Sequence, residues 1–220
     1  MNLSTLDLLD LSHTLAEDYL RQFPYPWEAL PGITDLILHL GPQLNPDEYE
    51  ERAPKIWVHK TARVAPTAYL GEACIIGPDT QVRHCAFVRG SALVGTNCVV
   101  GNSVELKNVI LFDGVQTPHY NYVGDSILGY KAHMGAGSIT SNIKADKKDI
   151  VIKNGPDLIE THRRKIGAIL GDFADVGCNT VLNPGVIIGR RTTIYPVSCV
   201  RGTVPPDCIY KSADCIVARH

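Results

Sequence analysis

The chain has 220 residues, of which 45% are hydrophobic and 20% are charged, and its formal net charge is −2 at pH 7. This composition predicts a folded protein with a buried core and excludes global disorder. Because the chain has no basic excess, we expect neither nucleic acid nor a membrane as its main partner.

The first twenty residues carry four acidic residues and no Lys or Arg, so we expect no secretory leader. No apolar run is long enough to cross a membrane. The seven cysteines are odd in number and none has CxxC spacing, which indicates neither a disulfide framework nor a zinc site. We therefore expect reduced thiols and a cytoplasmic location.

Residues 1–54 are predicted to form an N-terminal helical arm. Apolar side chains recur there at helical spacing, at Leu8, Leu11, Leu15 and Tyr19. Pro24 interrupts this pattern, and a second helical stretch is predicted over residues 35–40. We expect the arm to cap the first coil of the domain that follows or to pack on a neighbouring subunit; a solvated extension is the alternative.

Residues 55–220 carry an internal repeat of six residues. Large apolar residues occupy every sixth position at Val58, Val64, Leu70, Ile76, Val82, Val88, Val94, Val100, Leu106 and Phe112, and again at Leu170, Val176, Leu182, Ile188, Ile194 and Val200. This period fits no helical stripe but is typical of short strands coiled into a β-solenoid. We expect the apolar residue to point inward and the glycine that often follows it to adopt a turn with positive φ.

An irregular insertion at about residues 143–165 interrupts the repeat and is rich in Lys and Arg. Charge runs are usually solvated surfaces. A long insertion into a rigid solenoid is more often functional, however.

The repeat falters between Phe112 and Leu128, where Val123 is followed by the next apolar position after five residues. His119 and two tyrosines lie beside this irregularity. Since irregular loops on repeat scaffolds tend to be binding features, we predict a site here.

Three segments resemble a known family: GNSVELK at 101–107, PHYNYVGD at 118–125 and MGAGSITSN at 134–142. They are similar to the acetyltransferase half of the bifunctional N-acetylglucosamine-1-phosphate uridyltransferase/glucosamine-1-phosphate acetyltransferase and to the C-terminal domains of related sugar-1-phosphate nucleotidylyltransferases. The resemblance covers roughly residues 55–205. It implies an all-β fold, a left-handed parallel β-helix. It further implies a homotrimer with active sites between subunits, and acetyl-CoA as co-substrate without a required metal.

The resemblance also implies roles for individual residues. His119 matches the general base, a task that suits a neutral imidazole near pH 7. The matches to substrate-binding positions are Arg83, Lys107, Tyr122, His133, Asn142 and Lys148. Ala136 and Cys178 match positions that contact the acyl donor. The sequence departs from the family where His133 replaces an Asn, and an extra hexapeptide between Arg83 and Lys107 places the role of Arg83 in doubt.

The implied reaction is CoA-dependent acyl transfer, with acetyl as the expected acyl group, to the amine of an amino-sugar phosphate such as glucosamine-1-phosphate. A non-catalytic module that binds sugar phosphates or nucleotide sugars, or that serves oligomerisation, is the alternative. We expect no nucleotidyl transfer, because no Gly-rich sugar-nucleotide loop occurs in the sequence. A γ-class carbonic anhydrase is disfavoured, because no two of the eight His are five residues apart.

Overall fold

The computed structural model describes residues 1–219, which form an N-terminal helical arm and a parallel β-helix. The arm holds three short α-helices: α1 (Thr5–Leu8), α2 (Glu17–Leu20) and α3 (Ile33–Leu40). Turns of 3₁₀ helix lie between and after them at Leu11–His13, Pro26–Gly32 and Gly41–Gln43.

Each coil of the β-helix has three faces, which we call A, B and C in chain order. Face A holds β2 (Ile56–His59), β5 (Cys74–Ile76), β16 (Ala168–Leu170), β19 (Val186–Ile188) and β22 (Thr203–Val204). Face B holds β3 (Arg63–Val64), β6 (Gln81–Val82), β8 (Val99–Asn102), β10 (Gln116–His119), β12 (His133–Met134), β17 (Asp175–Val176), β20 (Thr193–Ile194) and β23 (Cys208–Ser212). Face C holds β4 (Tyr69–Leu70), β13 (Ile139–Thr140), β18 (Val181–Leu182) and β21 (Cys199–Val200).

Three longer strands turn the corner from face C to face A without a break: β7 (Phe87–Val94), β9 (Glu105–Leu111) and β11 (Tyr122–Leu128). Four strands lie outside the coils: β1 (Tyr49–Ala53), β14 (Val151–Asn154), β15 (Asp157–Glu160) and β24 (Cys215–Ala218). Parallel pairing between successive coils confirms the predicted fold class, a left-handed parallel β-helix with an N-terminal helical arm.

The inward positions recur at six-residue steps around the A–B and B–C corners of every coil. At the C–A corner the spacing varies. Val94 pairs with Leu111, and Leu111 pairs with Leu128, so these three residues are the equivalent inward positions on face A. The prediction that Phe112 occupies the inward position is therefore wrong by one residue. The repeat also shortens twice, at 106–111 and at 123–128, rather than once. Both shortenings, the insertion after residue 142 and the four-residue step from Val200 to Val204 lie at this one corner.

The predicted reason for the repeat glycines is also wrong. Gly71, Gly77, Gly95 and Gly101 do not have positive φ; a Cβ at each would instead meet atoms of the next coil. The left-handed residues stand further along each turn and are mostly not glycine, as at Asp79, Cys85, Ser91, Asn97 and Ser103. These glycines are therefore required by the close approach of neighbouring coils.

Face A is apolar on both sides of its strands. Its outward residues are buried as completely as its inward ones: Trp57, Ile75, Leu93, Ile110, Ile127, Ile169 and Ile187. The arm provides the cover, since α3 packs on β7 and β9, and the 3₁₀ turn Pro26–Gly32 packs on β11. The arm therefore lies along the side of its own β-helix, and the predicted solvated extension is excluded.

Asp172, at the A–B corner, fastens the arm to the β-helix. Its carboxylate accepts hydrogen bonds from the backbone of Asp10 at 2.8 Å and of Tyr130 at 2.9 Å, and pairs with Arg190 at 3.0 Å. Its own N–H donates to the carbonyl of Leu8 at 3.1 Å. Burial raises the pKa of Asp172, and these hydrogen bonds with the Arg190 charge oppose the rise.

Antiparallel strands cover both ends of the solenoid. Strand β1 pairs antiparallel with β2 at the first coil, and β24 pairs antiparallel with β23 at the last. The cap of the first coil is thus β1 rather than the helices. An otherwise open parallel edge would expose unpaired backbone groups to other chains.

The insertion is an ordered antiparallel hairpin, β14–β15, rather than an irregular loop. Ile143 and Lys165 bridge its base, and Ile150 and Ile152 are buried beneath it. Asn154 accepts from the amino group of Met1 at 3.1 Å and from the hydroxyl of Thr203 at 3.1 Å. The hairpin is therefore packed onto the later coils and the start of the arm.

Among residues 1–219, no helix is long and apolar enough to cross a membrane. Burial raises the pKa of both Cys74 and Cys98 to about 12. These two thiols therefore stay protonated and act as small apolar residues, as their corner positions predict.

The close approach of coils predicts that Gly101→Ala destabilises the protein strongly, because the added Cβ would overlap the carbonyl of Pro118. Overpacking of this kind costs about 3 kcal/mol. Gly155→Ala is the control: its Cβ meets nothing within 4 Å, although its φ is +62°. The control should cost only about 1 kcal/mol of backbone strain. Urea unfolding checks both variants, and equal shifts of the midpoint would contradict the coil-contact explanation.

Candidate active site

A cluster of polar side chains occupies the C–A corner, where the repeat changes length. This polar cluster consists of Lys107, Asn108, Tyr122, Asp125 and Asn142. The Asp125 side chain is only 6% exposed and accepts from Lys107 Nζ at 3.1 Å through both oxygens. It also accepts from Asn108 Nδ2 at 2.9 Å and Asn142 Nδ2 at 2.5 Å. A buried carboxylate with this set of donors holds the side chains of three successive coils in place.

The shortened steps create this cluster. In a five-residue step the left-handed residue moves one position closer to face C, to Asn108 with φ 55° and to Asp125 with φ 48°. Asn and Asp are the non-glycine residues that adopt this conformation most readily. The backbone therefore presents an amide and a carboxylate side chain to each other in adjacent coils.

Tyr122 provides a neutral phenol at the edge of the cluster. Burial raises its pKa, and the nearby negative charges of Asp125 and Glu105 raise it further. Its Oη accepts from Asn142 Nδ2 at 3.2 Å. The phenolic proton is thus left for a ligand acceptor.

The charges around the cluster are balanced within the chain. Lys107 pairs with Asp125, and Arg89 on the preceding coil pairs with Glu105 at 2.9 Å. A phosphate group would therefore meet cations that already have carboxylate partners.

A second set of predicted residues lies along the B–C corner, which we call the His119 column: His119, Ala136 and Cys178. The carbonyl of His119 accepts from Gly137 N at 3.0 Å, and that of Ala136 accepts from Asn179 N at 2.8 Å. The three residues therefore stand on successive coils, about 5 Å apart per coil. The His119 and Cys178 side chains are exposed, so the column forms an open edge.

Face C separates the His119 column from the polar cluster within one chain. His119 ends β10 on face B, whereas Asp125 follows the short face C segment that begins at Tyr122. Asp125 lies six positions after His119, so the two corners are about 10–15 Å apart. One chain alone does not bring the predicted general base to the polar cluster.

The remaining predicted residues lie elsewhere. Arg83 stands at the B–C corner two coils before His119, where it hydrogen-bonds the side chain of Gln81. His133 projects from face B, with Nδ1 2.8 Å from Asp175 Oδ1, and that hydrogen bond lowers the pKa of Asp175. Lys148 lies on the insertion. The structure therefore groups Lys107, Tyr122 and Asn142 but does not bring Arg83, His133 or Lys148 to them.

Asp125 and Asn108 are the residues that the sequence reasoning missed. Asp125 ends the PHYNYVGD motif and is not distinguished there from the rest of the pattern. A usable signal was present, because it lies inside the five-residue step that ends at Leu128. Among residues 1–219, no group of three or more His, Cys, Asp or Glu side chains is placed to hold a metal ion.

Sequence comparison identifies relatives of this chain. The family model described as the GMPPB C-terminal domain matches residues 74–158. A bifunctional sugar-1-phosphate nucleotidylyltransferase/acetyltransferase from Sulfurisphaera tokodaii is 29% identical over 215 residues, which is 90% of this chain and 53% of the relative. The predicted resemblance is confirmed.

Other relatives agree with this. The bifunctional protein GlmU of a Cyanothece species is 36% identical over 135 residues, 61% of this chain and 26% of that protein. The chain thus spans about half the length of the Sulfurisphaera relative, and less of the GlmU proteins.

Solved structures that align with the chain include the acetyltransferase domain of PglB from Neisseria gonorrhoeae in complex with acetyl coenzyme A, at 13% identity and a TM-score of 0.39, covering 74% of this chain and 57% of that one. PerB from Caulobacter crescentus, in complex with CoA and GDP-perosamine, aligns at 16% identity and a TM-score of 0.39, covering 86% and 67% of the two chains.

The buried carboxylate leads to a stability prediction. Asp125→Asn removes the negative charge that compensates Lys107. It also replaces a carboxylate, which accepts from three side chains, with an amide that has only one acceptor oxygen. The change should cost about 3 kcal/mol. Asp207→Asn is the matched control, because Asp207 pairs with Arg191 where both side chains are about half exposed, and exposed pairs contribute about 1 kcal/mol or less. Chemical denaturation compares the variants; equal losses would mean that the cluster does not support the corner.

Proposed function

We propose that this chain transfers an acyl group, acetyl being the expected one, from CoA to the amine of an activated amino sugar. The likeness to the GlmU-type sequences supports the reaction class. The observation that carries the proposal is the His119 column, because a candidate base and two candidate acyl-donor contacts share one corner of adjacent coils.

In the proposed reaction the amine attacks the thioester carbonyl and the C–N bond forms as the C–S bond breaks. His119 takes the proton from the attacking nitrogen and delivers it to the departing thiolate, which leaves as CoA. An imidazole suits both transfers near neutral pH. Tyr122 and Asn142 orient the sugar, and Ala136 and Cys178 lie along the pantetheine arm.

We further propose that the active site forms between copies of the chain in a homotrimer. The separation of the His119 column from the polar cluster supports this, since each supplies only part of the site. The first two coils of face C support it too, because their outward residues are aromatic and uncovered, with Tyr69 60% and Phe87 43% exposed. Exposed apolar patches of this kind mark interaction surfaces.

The alternative is a module that binds sugar phosphates or nucleotide sugars without turning them over. The distance between His119 and the polar cluster within one chain favours it, because a cluster without a nearby base can hold a sugar but cannot take the proton from its amine. Ligand binding without release of CoA would decide for this alternative.

His119→Ala should abolish turnover while leaving the fold unchanged. Loss of a general base lowers kcat by about 10²- to 10⁴-fold. The control is His84→Ala, which removes an exposed His on the same corner two coils earlier. Release of free CoA from acetyl-CoA with glucosamine-1-phosphate and related amino sugars is the measurement. Equal activity of both variants would overturn the role of His119.

Co-expression of His119→Ala chains with Asn142→Ala chains, which lack a proposed sugar contact, tests the shared site. If one chain supplies the column and another the cluster, random trimers regain about a quarter of the wild-type activity, since each site needs one intact contribution from each variant. If each site belongs to one chain, the mixture stays as inactive as the single variants. The molecular mass in solution serves as the control for assembly.

A further inference from the structure

A large groove adjoins the polar cluster on the side of the later coils. It encloses about 780 Å³ between the hairpin β14–β15 and the C–A corner at Asn183–Gly185 and Arg201–Gly202. Ser141 and Ile143, the two chain neighbours of Asn142, both line it. The groove therefore lies beside the cluster on the same corner, although its lining includes none of the five cluster side chains.

One face of the hairpin forms a wall of the groove. Val151 lies opposite Glu160, and Lys153 lies opposite Leu158, so these four side chains share a face of the two-stranded ribbon. All four line the groove. The other face is anchored by the buried Ile152, so the wall has a fixed position.

The groove combines apolar surface with unpaired positive charge. Leu158 is 66% exposed and Ile143 is 44% exposed, which leaves apolar side chains open to a ligand. Among residues 1–219, neither Lys153 nor Arg201 forms an ion pair.

Three further charged groups face the same space. Lys144 lies 3.5 Å from Asp146, and Glu160 supplies a second carboxylate. Three cationic and two anionic side chains line the groove, so its net charge is +1. Among residues 1–219, Lys153 and Arg201 are the two cations of the groove without an ion-pair partner.

We propose that this groove binds the nucleoside diphosphate of a nucleotide-linked amino sugar, an inference that rests on the proposed acyl transfer and names its acceptor. The aliphatic side chains contact the base, and Lys153 and Arg201 bind the diphosphate. The sugar then lies at Ser141, at the part of the groove nearest the polar cluster. A volume of about 780 Å³ is in the range of sites for whole nucleotide-sized ligands and is more than a sugar phosphate fills.

Calorimetric titration of the full chain tests the groove without any acyl donor. The probes are UDP, dTDP and GDP, compared with inorganic phosphate, glucosamine-1-phosphate and CoA. At least one nucleoside diphosphate should bind at least tenfold more tightly than inorganic phosphate. The double variant Lys153→Ala/Arg201→Ala should weaken that binding by about tenfold or more. Arg52→Ala, on β1 at the far end of the β-helix, is the control and should change it by less than about twofold.

The inference is overturned if no diphosphate binds more tightly than phosphate, if only CoA binds, or if the double variant binds like wild type. Leu158→Ser gives a second check, since it removes apolar surface without adding charge and should weaken nucleotide binding while leaving binding of inorganic phosphate unchanged. Turnover of glucosamine-1-phosphate without nucleotide binding would reject this inference and keep the proposed reaction. Nucleotide binding that needs Lys153 and Arg201, without acyl transfer to any nucleotide-linked amino sugar, would reject the reaction and keep the groove.

Discussion

The hydrogen-bond register between successive coils constrains everything else in this protein. Each strand pairs with the coil before and the coil after, so a residue gained or lost must be accommodated at a corner. The chain uses one corner for this. The A–B and B–C corners keep their six-residue steps, and the C–A corner takes both shortenings, the hairpin and the four-residue step to Val204. The irregular corner is also where the polar cluster and the large groove lie.

The arm follows from the same architecture. A solenoid whose outward side chains are polar can stand alone in water, but face A is apolar on its outer side as well. Its outward row includes Trp57, Ile75 and Leu93, whose apolar surface contributes to stability only if another element removes it from water. The arm does so and is held by Asp172, whose carboxylate reaches the arm backbone. Face A is thereby closed to other subunits, and the exposed aromatic residues Tyr69 and Phe87 lie on face C.

The candidate site is divided in a way that suits a shared site. The His119 column presents an exposed imidazole, and the polar cluster presents a phenol and amides fixed by a buried carboxylate. Because the cluster is charge-balanced, we propose that it orients a sugar rather than captures a phosphate. The free cations of the neighbouring groove, Lys153 and Arg201, provide the positive charge that the cluster lacks.

The six-residue period alone determined the fold class. A large apolar residue at every sixth position fits no helical stripe, but it can point inward on every short strand of a coil. The motifs alone pointed to His119, Lys107, Tyr122 and Asn142. The sequence also held a signal that went unused: apolar residues precede the inward position on every third strand, as at Trp57, Ile75 and Leu93. That 18-residue pattern marks a face that must be covered. Which corner each side chain occupies was decided by the tertiary structure, since one residue lost before Leu111 shifts all later residues around the coil. For the same reason Asp125 became the centre of a cluster.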